Sequence, residues 1–363
     1  MEIGIVGLAR SGKTTVFLAI GGEPARHAAS HAAHDDALVA VVAVPDQRVE
    51  QLARLAGSSR AVHASVRFTD LPGVPVEQIE RRHGLPDSHL QYLGRVDALL
   101  AVIRGFDDRS GVPVQVAKDA DSIETELIVT DLQRVESRRQ KLEKTIARTG
   151  GKEREQAEIE IAALIKIHTA LNEGRPARCV ELDGREDVAL RSLALLSQKP
   201  IAWLINADEQ ALAGGADLAA PLIARGLGPR ALCAQMNAEM EKEIAELDEQ
   251  SRAEFMASYG IEEPATTKII SLCFRLLGQI LFFTANEKES HAWTVREGAT
   301  ALEAAAAIHS DFASGFIRAE VVSWRDLQEA GSVAAARKKG TLRTEGKDSI
   351  VRDGDVIQFL FHR

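Results

Sequence analysis

Near its start the chain carries eight residues with the spacing G-x-x-x-x-G-K-[ST], which is typical of a phosphate cradle: Gly7, Leu8, Ala9, Arg10, Ser11, Gly12, Lys13 and Thr14. Glycines let backbone N–H groups turn inward around an anion, and the positive end of a following helix dipole points at the same anion. The lysine reaches the β- and γ-phosphate oxygens, and the hydroxyl after it binds Mg²⁺. We predict a catalytic role for Lys13, a metal-binding role for Thr14 and a nucleotide contact at Thr15.

The segments around this motif have the order that a phosphate cradle needs. The apolar run at residues 3–6 predicts a buried strand, and "VFLAI" at residues 16–20 predicts a helix. A Gly-rich turn between a strand and a helix is much more specific than the same turn alone. The sequence therefore favours a phosphate-binding loop over a chance glycine turn.

A second acidic element should lie at the end of a neighbouring strand. In "VRFTDLPGV", residues 66–69 are strand-like, Asp70 ends the strand, and Gly73 completes the spacing D-x-x-G. We predict that Asp70 holds Mg²⁺ through water, and that the Gly73 N–H contacts the γ-phosphate as part of the catalytic machinery.

The choice of base should depend on the loop after another apolar strand, "PIAWLI". GTP-specific proteins of this kind end that strand with N-K-x-D, whereas this chain has "NADE": Asn206 is kept, Ala207 replaces the lysine, and Glu209 replaces the aspartate. The longer glutamate cannot occupy the place of the aspartate without moving the base, and adenine has no N1–H for it to accept. We predict ATP as the ligand, with a merely solvated loop as the alternative interpretation.

The cradle, "NADE" and the downstream stretch "LCAQMNAEMEKEIAELDEQSRAEFMASYGIEE" together resemble the Obg-like ATPase family, the YchF group. The C-terminal stretches "FIRAEVVSW" and "GKDSIVRDGDVIQFLF" are similar to the TGS domain of that family, a small ubiquitin-like β-grasp module. The resemblance implies a monomer that has the ribosome (rRNA) as a partner, in keeping with ATP as ligand and Mg²⁺ as cofactor. It also implies that Gln235 and Met236 contribute to the nucleotide site. A cytoplasmic location is expected because the apolar run near the N-terminus is too short for a signal peptide.

The predicted fold class is α/β: a P-loop NTPase with a doubly wound parallel sheet, an inserted α-helical hairpin and a C-terminal β-grasp domain. Alternating strand-like and helix-like runs at the front of the chain indicate βαβ units. The predicted domains are residues 1–120 with 179–280 for nucleotide binding, residues 121–178 for the hairpin, a coiled coil, and residues 281–363 for the TGS domain.

Two apolar stripes at helical spacing predict the hairpin, joined at Gly150-Gly151. The first stripe consists of Ile128, Leu132, Val135, Leu142 and Ile146, and the second of Ala157, Ile161, Leu164, His168 and Leu171.

One face of the first hairpin helix is basic and carries Arg134, Arg138, Lys141 and Arg148. A solvated face paired with Glu136 and Glu143 is the favoured interpretation. Contact with the ribosomal RNA backbone is the alternative.

Composition excludes several function classes. A hydrophobic content of 45% and a charged content of 27% are ordinary for a globular protein, and the net charge is −9 without a basic tail. Non-specific nucleic-acid binding is therefore not the default. No stretch reaches the roughly 18 apolar residues of a membrane span, so we expect no membrane contact. Cys179, Cys233 and Cys273 have no metal-ligand spacing and are expected to be buried thiols.

The cradle departs from the family pattern G-x-P-N-x-G-K-[ST], because Ala9 and Arg10 replace the proline and the asparagine. In related hydrolases that asparagine helps to hold a potassium ion between the phosphates. Arg10 either supplies a permanent cation near that place, as a built-in arginine finger, or points to solvent. The first alternative predicts hydrolysis that does not depend on potassium.

The switch segments also depart from the family. No threonine occurs between Val16 and Phe68, so Ser30, Asp35 or Asp36 has to replace the switch threonine, or nothing does. Val74 follows Gly73 where many small GTPases have a catalytic glutamine, so we predict slow turnover. The alternatives are a nucleotide-gated binding protein with negligible hydrolysis and a GTPase. His27, His31 and His34 are expected in a polar loop, and His83 and His89 are candidates for positioning water by loop position only.

Overall fold

The structure is a computed structural model, and it describes residues 1–31, 37–71, 87–146, 150–224 and 226–362. The chain divides into two compact units. The first consists of residues 1–42 and 67–276, and the second of residues 43–66 and 277–363.

Twelve strands are described: β1 (Glu2–Val6), β2 (Leu38–Ala43), β3 (Arg60–Val62), β4 (Ser65–Asp70), β5 (Ala98–Gly105), β6 (Ile201–Ala207), β7 (Ala231–Met236), β8 (Gln279–Ala285), β9 (Glu289–Arg296), β10 (Phe316–Ser323), β11 (Arg343–Glu345) and β12 (Asp355–Phe361). The α-helices of the described residues are α1 (Lys13–His31), α2 (Gln47–Ala56), α3 (Asp87–Arg95), α4 (Val116–Ile146), α5 (Gly151–Asn172), α6 (Gly184–Leu190), α7 (Glu209–Ala213), α8 (Ala220–Ala224), α9 (Ala238–Glu246), α10 (Glu249–Ser258), α11 (Ala265–Leu276), α12 (Ala301–Ile308), α13 (Ser310–Ser314), α14 (Trp324–Ala330) and α15 (Val333–Lys339).

The first unit is built on a six-stranded sheet with the order β2-β4-β1-β5-β6-β7. β1 pairs in parallel with β4 and β5, and β5, β6 and β7 continue in parallel. All residues of β5 and β6 are buried, as expected for parallel strands that are covered on both faces. The predicted α/β fold class is confirmed. Parallel strands end at one edge of the sheet, so the loop after the central β1 lies where such folds bind ligands.

The segment that was expected to be a polar loop around His27 and His31 is the end of helix α1. The two imidazole rings stack with centroids 4.4 Å apart, and Ser30 donates its hydroxyl hydrogen to the His27 carbonyl. The i, i+4 spacing of a helix places both rings on one face, so the loop expectation was wrong for these residues. The remaining candidates of this segment, His34, Asp35 and Asp36, lie outside the described residues.

Helices α4 and α5 are the two helices that the apolar stripes predict. Ile128, Val135 and Leu142 of α4 share a buried cluster with Leu164 and Ile167 of α5. The first helix begins at Val116, a few residues before the predicted start, and residues 147–149 of the predicted turn lie outside the described residues.

The second unit contains a six-stranded sheet with the order β11-β10-β12-β8-β9-β3. β8 pairs antiparallel with β9, and β10 pairs antiparallel with β12, whereas β12–β8 and β3–β9 are parallel. Residues 43–66, which the sequence placed in the nucleotide-binding domain, belong to this unit. Arg48 fixes α2 there, because its guanidinium pairs with Asp46 and Asp353 at 2.7 Å each and lies 5.1 Å from the centroid of the Phe283 ring.

The cysteine side chains are shielded to different degrees. Cys273 is buried, and Cys179 and Cys233 are partly buried. Burial raises the pKa of Cys273 to about 12 and that of Cys233 to about 11, so both thiols stay protonated and unreactive near neutral pH. Within the described ranges, no helix has the length and apolar content to cross a membrane.

Candidate nucleotide-binding site

The two glycines of the phosphate-binding loop stand where a side chain would collide. A Cβ at Gly7 would lie 2.5 Å from the Val102 carbonyl oxygen, so the loop passes directly against β5. Gly12 has a φ of 87°, and a Cβ there would overlap the side-chain amide of Asn206. Both positions therefore require glycine, one for close approach and one for approach and backbone conformation.

Lys13 begins helix α1, and its amine folds back over the loop. Nζ donates hydrogen bonds to the carbonyl oxygens of Gly7 at 3.0 Å and Leu8 at 3.1 Å. The residue is 8% exposed, and burial lowers the pKa of the amine below its ordinary value, while the Asp70 carboxylate acts in the opposite direction. An ammonium held this way in a low-dielectric pocket interacts strongly with an incoming phosphate.

Thr14 and Asp70 are joined by a hydrogen bond, in which the threonine hydroxyl donates to Oδ2 at 2.8 Å. The parallel register of β1 and β4 pairs Ile5 with Asp70, which places the carboxylate beside the start of α1. Burial raises the pKa of Asp70, and the hydrogen bond from Thr14 and the charge of Lys13 oppose this shift.

The oxygens of Thr14 and Asp70 fit the needs of Mg²⁺. Asp70 is 3% exposed, and its Oδ1 is buried without a hydrogen-bond partner among the described residues. A buried carboxylate oxygen without a donor is the kind of group that a hard cation, or its bound water, satisfies. Mg²⁺ normally takes one or two protein oxygens and fills its other positions with phosphate and water. The third predicted element, Gly73, lies outside the described residues.

The Arg10 side chain is 63% exposed, as the solvent alternative expects, and it also pairs with a neighbouring segment. Its Nε forms an ion pair with Asp108 Oδ2 at 3.1 Å, and its guanidinium also donates to the Asp108 carbonyl at 3.1 Å. Arg10 has a φ of 65°, a left-handed conformation that a non-glycine residue adopts only when its surroundings hold it. Hydrogen bonds from Ser110, followed by the charges of Arg10 and Arg104, hold the pKa of Asp108 below its ordinary value.

Arg104 is a site residue that the sequence reasoning missed. Its side chain is 9% exposed and pairs with Asp108 Oδ1 at 3.4 Å. The same guanidinium donates to three carbonyl oxygens of the loop after β5: Phe106 at 3.1 Å, Val112 at 3.1 Å and Pro113 at 3.0 Å. The available signal was an arginine near the end of an otherwise apolar strand, where a charge must find partners.

Asn206 connects three parts of the site. Its Nδ2 donates to the Ser11 carbonyl oxygen at 3.2 Å, and its Oδ1 accepts from the Ala238 N–H at 3.1 Å. The amide of Asn206 therefore fixes the loop relative to the start of α9. Ala207 is buried at the end of β6, whereas Glu209 is exposed in the first turn of α7.

The side chains of Gln235 and Met236 are engaged within the sheet and its flanking loop. Gln235 accepts from the Leu218 N–H and donates to the Ala216 carbonyl, both at 3.1 Å. Met236 is 1% exposed. Their contribution to nucleotide binding remains a prediction.

The other cradle residues provide backbone and packing. Ser11 is buried, and its Oγ has no hydrogen-bond partner in the described chain. Leu8 packs against the core of the first unit, and Thr15 is partly buried in the first turn of α1.

A glycine loop between a central parallel strand and a helix, with a buried lysine and a Thr–Asp pair, defines a P-loop nucleotide-binding protein of the doubly wound α/β class. Within this class, the chain belongs to the YchF family. Residues 279–362 match the family model YchF-GTPase_C, described as "Protein of unknown function (DUF933)".

Similar proteins cover the whole chain. It is 36% identical to the ribosome-binding ATPase YchF of Bacillus subtilis (strain 168), over 100% of this chain and 99% of that protein. It is 34% identical to the protein of the same name from Escherichia coli O157:H7, over 99% of both chains. Among solved structures, that of the Schizosaccharomyces pombe YchF GTPase matches with a TM-score of 0.83 and 27% identity, over 99% of this chain and 97% of that one.

Proposed function

We propose that this chain is a Mg²⁺-dependent, ATP-binding and slowly ATP-hydrolysing switch protein that associates with the ribosome. The cluster of Lys13, Thr14 and Asp70 at the ends of β1 and β4 carries the nucleotide part of this proposal. The bacterial relatives are named ribosome-binding ATPases. These names support the proposal of ATP as the ligand and of the ribosome as the partner.

Thr14 and Asp70 would hold Mg²⁺, which supplies charge neutralisation at the β- and γ-phosphates when bound. Lys13 leaves its two loop carbonyls and pairs with phosphate oxygens, because an ionic partner is stronger than neutral carbonyls. Loop N–H groups, the Gly73 N–H and the Arg10 guanidinium stabilise charge that develops on the γ-phosphoryl oxygens. Water attacks the γ-phosphorus, and the new P–O bond replaces the bond between that phosphorus and the oxygen that bridges the β- and γ-phosphates. ADP and inorganic phosphate leave, and the proton lost by water passes to the phosphate product or to solvent.

ATP is preferred over GTP in this proposal, because the guanine-reading carboxylate is missing from its usual place. Asp208 caps helix α7 by accepting from the Ala211 N–H at 2.8 Å, and the adjacent Glu209 is exposed. The side-chain amide of Asn206 already has protein partners at both polar atoms: Nδ2 donates to the Ser11 carbonyl, and Oδ1 accepts from the Ala238 N–H. Direct competition between ATP and GTP tests the preference, and tighter binding of GTP would overturn it.

A second candidate function is nucleotide-gated binding with negligible hydrolysis. The lack of threonine between Val16 and Phe68 favours it, because that residue normally caps the γ-phosphate. A single-turnover assay with bound ATP separates the two functions. Product above the uncatalysed rate supports the slow hydrolase, and product at the uncatalysed rate leaves only the binding protein.

The ribosome contact is proposed for the helical hairpin and the predicted TGS domain, in a protein that acts as a monomer. Cosedimentation of the full chain with ribosomes, with and without ATP, tests this part. Failure to cosediment in both states would contradict it while leaving the nucleotide proposal intact.

A further inference from the structure

Helix α4 forms one wall of a groove of about 450 Å³. The wall residues follow helical spacing on one face: Thr130, Gln133, Arg134, Ser137, Arg138 and Lys141. They span three turns, a length of about 16 Å. Leu90 of α3 and Leu193 line the groove from other segments. The groove is therefore open along the side of one helix and is lined by both polar and apolar side chains.

The lining of the groove carries basic side chains, in a protein of net charge −9. Three of its lining residues are cationic and none is acidic. Arg138 is paired with Glu160 at 2.6 Å, and Arg134 donates to the Ala194 carbonyl at 3.0 Å. In the described part of the chain, Lys141 has no carboxylate partner.

The acidic residues that the sequence offered as partners of this face are engaged elsewhere. Glu136 lies 3.4 Å from His168, and Glu143 lies 3.4 Å from Arg139. The predicted pairing of this face with these two glutamates was therefore wrong for its described residues, whereas Lys141 is solvent-exposed, as that interpretation expects. The fourth basic residue of that face, Arg148, lies outside the described residues.

A buried hydroxyl in the groove wall points to a polar ligand. Thr130 is 4% exposed, and its Oγ1 has no hydrogen-bond partner within the described ranges. Leaving a buried hydroxyl unpaired costs about 1–3 kcal/mol, so such a group indicates a place where a ligand or water binds. Ser137 and Ser192 add further hydroxyls to the lining.

We propose that this groove binds a phosphate ester of about nucleotide size, separately from the cradle at Lys13. The cations match the phosphate, the hydroxyls match phosphate or ribose oxygens, and Leu90 and Leu193 match the apolar face of a sugar or base. A volume of 450 Å³ lies in the range of about 300–1,000 Å³ that small ligands occupy. The inference deepens the proposed ribosome contact where the ester belongs to an RNA strand. A free nucleotide is the other source.

The test uses the full-length chain and a short fluorescein-labelled oligouridylate, followed by fluorescence anisotropy at about 50 mM salt. Lys141→Gln and Arg134→Gln should each weaken binding about three- to tenfold and reduce the salt slope by about one. Lys144→Gln is the matched control, because it removes the same charge from the same helix, at an exposed position outside the groove. Equal losses for Lys141→Gln and Lys144→Gln would overturn the proposal.

Thr130→Val separates a built site from general electrostatic attraction, since it changes no charge. We expect about threefold weaker probe binding without a lower unfolding temperature, because the substitution removes an unpaired buried hydroxyl. Unchanged probe binding in this variant, or no binding of the wild-type protein to the probe, would contradict the proposal.

Competition identifies the source of the ester. Displacement of the probe by uridine monophosphate indicates a free nucleotide, and displacement only by unlabelled oligouridylate indicates a strand. Either result supports a phosphate-ester groove. Lys13→Ala should bind the probe like the wild type, so loss of ATP binding in that variant and loss of probe binding in Lys141→Gln report on separate proposals.

Discussion

The guanidinium of Arg10 and the carboxylate of Asp108 form an ion pair, Nε to Oδ2 at 3.1 Å, which joins the phosphate-binding loop to the segment after β5. Asp108 is in turn held by the buried Arg104 and by Ser110. Arg10 is thus held by contacts with residues of the protein itself. It can serve the phosphates only by leaving or sharing Asp108.

Arg10→Ala should lower the single-turnover rate of ATP hydrolysis by at least tenfold, since arginines that stabilise a transferring phosphoryl group contribute about 10³–10⁵. Affinity for ADP should change less than about twofold, because Lys13 still binds the β-phosphate. Asp108→Asn is the control, since it removes the ion pair of Arg10, together with that of Arg104, but keeps the Arg10 cation. Equal rate losses in both variants would show that the ion pair, and not the guanidinium, is what matters.

Hydrolysis should proceed at the same rate in potassium and in sodium buffers. In the family pattern G-x-P-N-x-G-K-[ST], an asparagine expected to help hold potassium stands at the position of Arg10, and the charge of Arg10 is permanent. The measurement is a single-turnover rate at constant ionic strength with one cation exchanged for the other. Loss of turnover in sodium would show that Arg10 does not replace the ion.

Asp70→Asn should stabilise the nucleotide-free protein near neutral pH, by about 1 kcal/mol or 2–4 °C in the unfolding temperature. Burial raises the pKa of Asp70 in the folded protein. Protonated Asp70 therefore contributes to the free energy of unfolding at a pH below its ordinary pKa, and this contribution is lost as the pH rises through the pKa of the folded state. The advantage of the variant should therefore grow from acid to neutral pH in thermal unfolding.

Glu209→Gln controls for the loss of one negative charge, because Glu209 is exposed. A constant difference between Asp70→Asn and wild type across the pH range would contradict the assignment of a buried, charged Asp70. Asp70→Asn should also lose the effect of Mg²⁺ on ATP binding. Calorimetric titration with ATP, with and without the metal, measures this loss.

Asn206→Ala should destabilise the first unit by about 1–3 kcal/mol, because the Ser11 carbonyl and the Ala238 N–H both lose a buried partner. ATP affinity should fall as well, since the loop is no longer held against the start of α9. Thermal unfolding and ATP titration check the two effects. A variant as stable as the wild type would mean that Asn206 does not anchor the loop.

Much of the site could be predicted because its signals are local. The cradle motif, its flanking strand and helix, and the acidic end of β4 each occupy a few consecutive residues, and parallel pairing brings Thr14 and Asp70 together. The hairpin was equally accessible, because Ile128, Val135 and Leu142 repeat at helical spacing.

The remaining features depend on contacts between residues far apart in the chain. β3 joins the second unit by pairing Arg60 with Glu289, and nothing in "RAV" indicates a partner that distant. Arg10 and Asp108 are separated by 98 residues, and Asn206 and Ser11 by 195. Such side chains have many possible partners in a sequence, and only the packed fold selects one.

Calorimetric titration with ATP and with GTP, Mg²⁺ being present, tests the central claim most directly. We expect heat of binding with ATP, at least about tenfold weaker binding of GTP, which is about 1.4 kcal/mol, and no binding of ATP to folded Lys13→Ala. No heat with either triphosphate, tighter binding of GTP, or unchanged ATP affinity in Lys13→Ala would contradict the account.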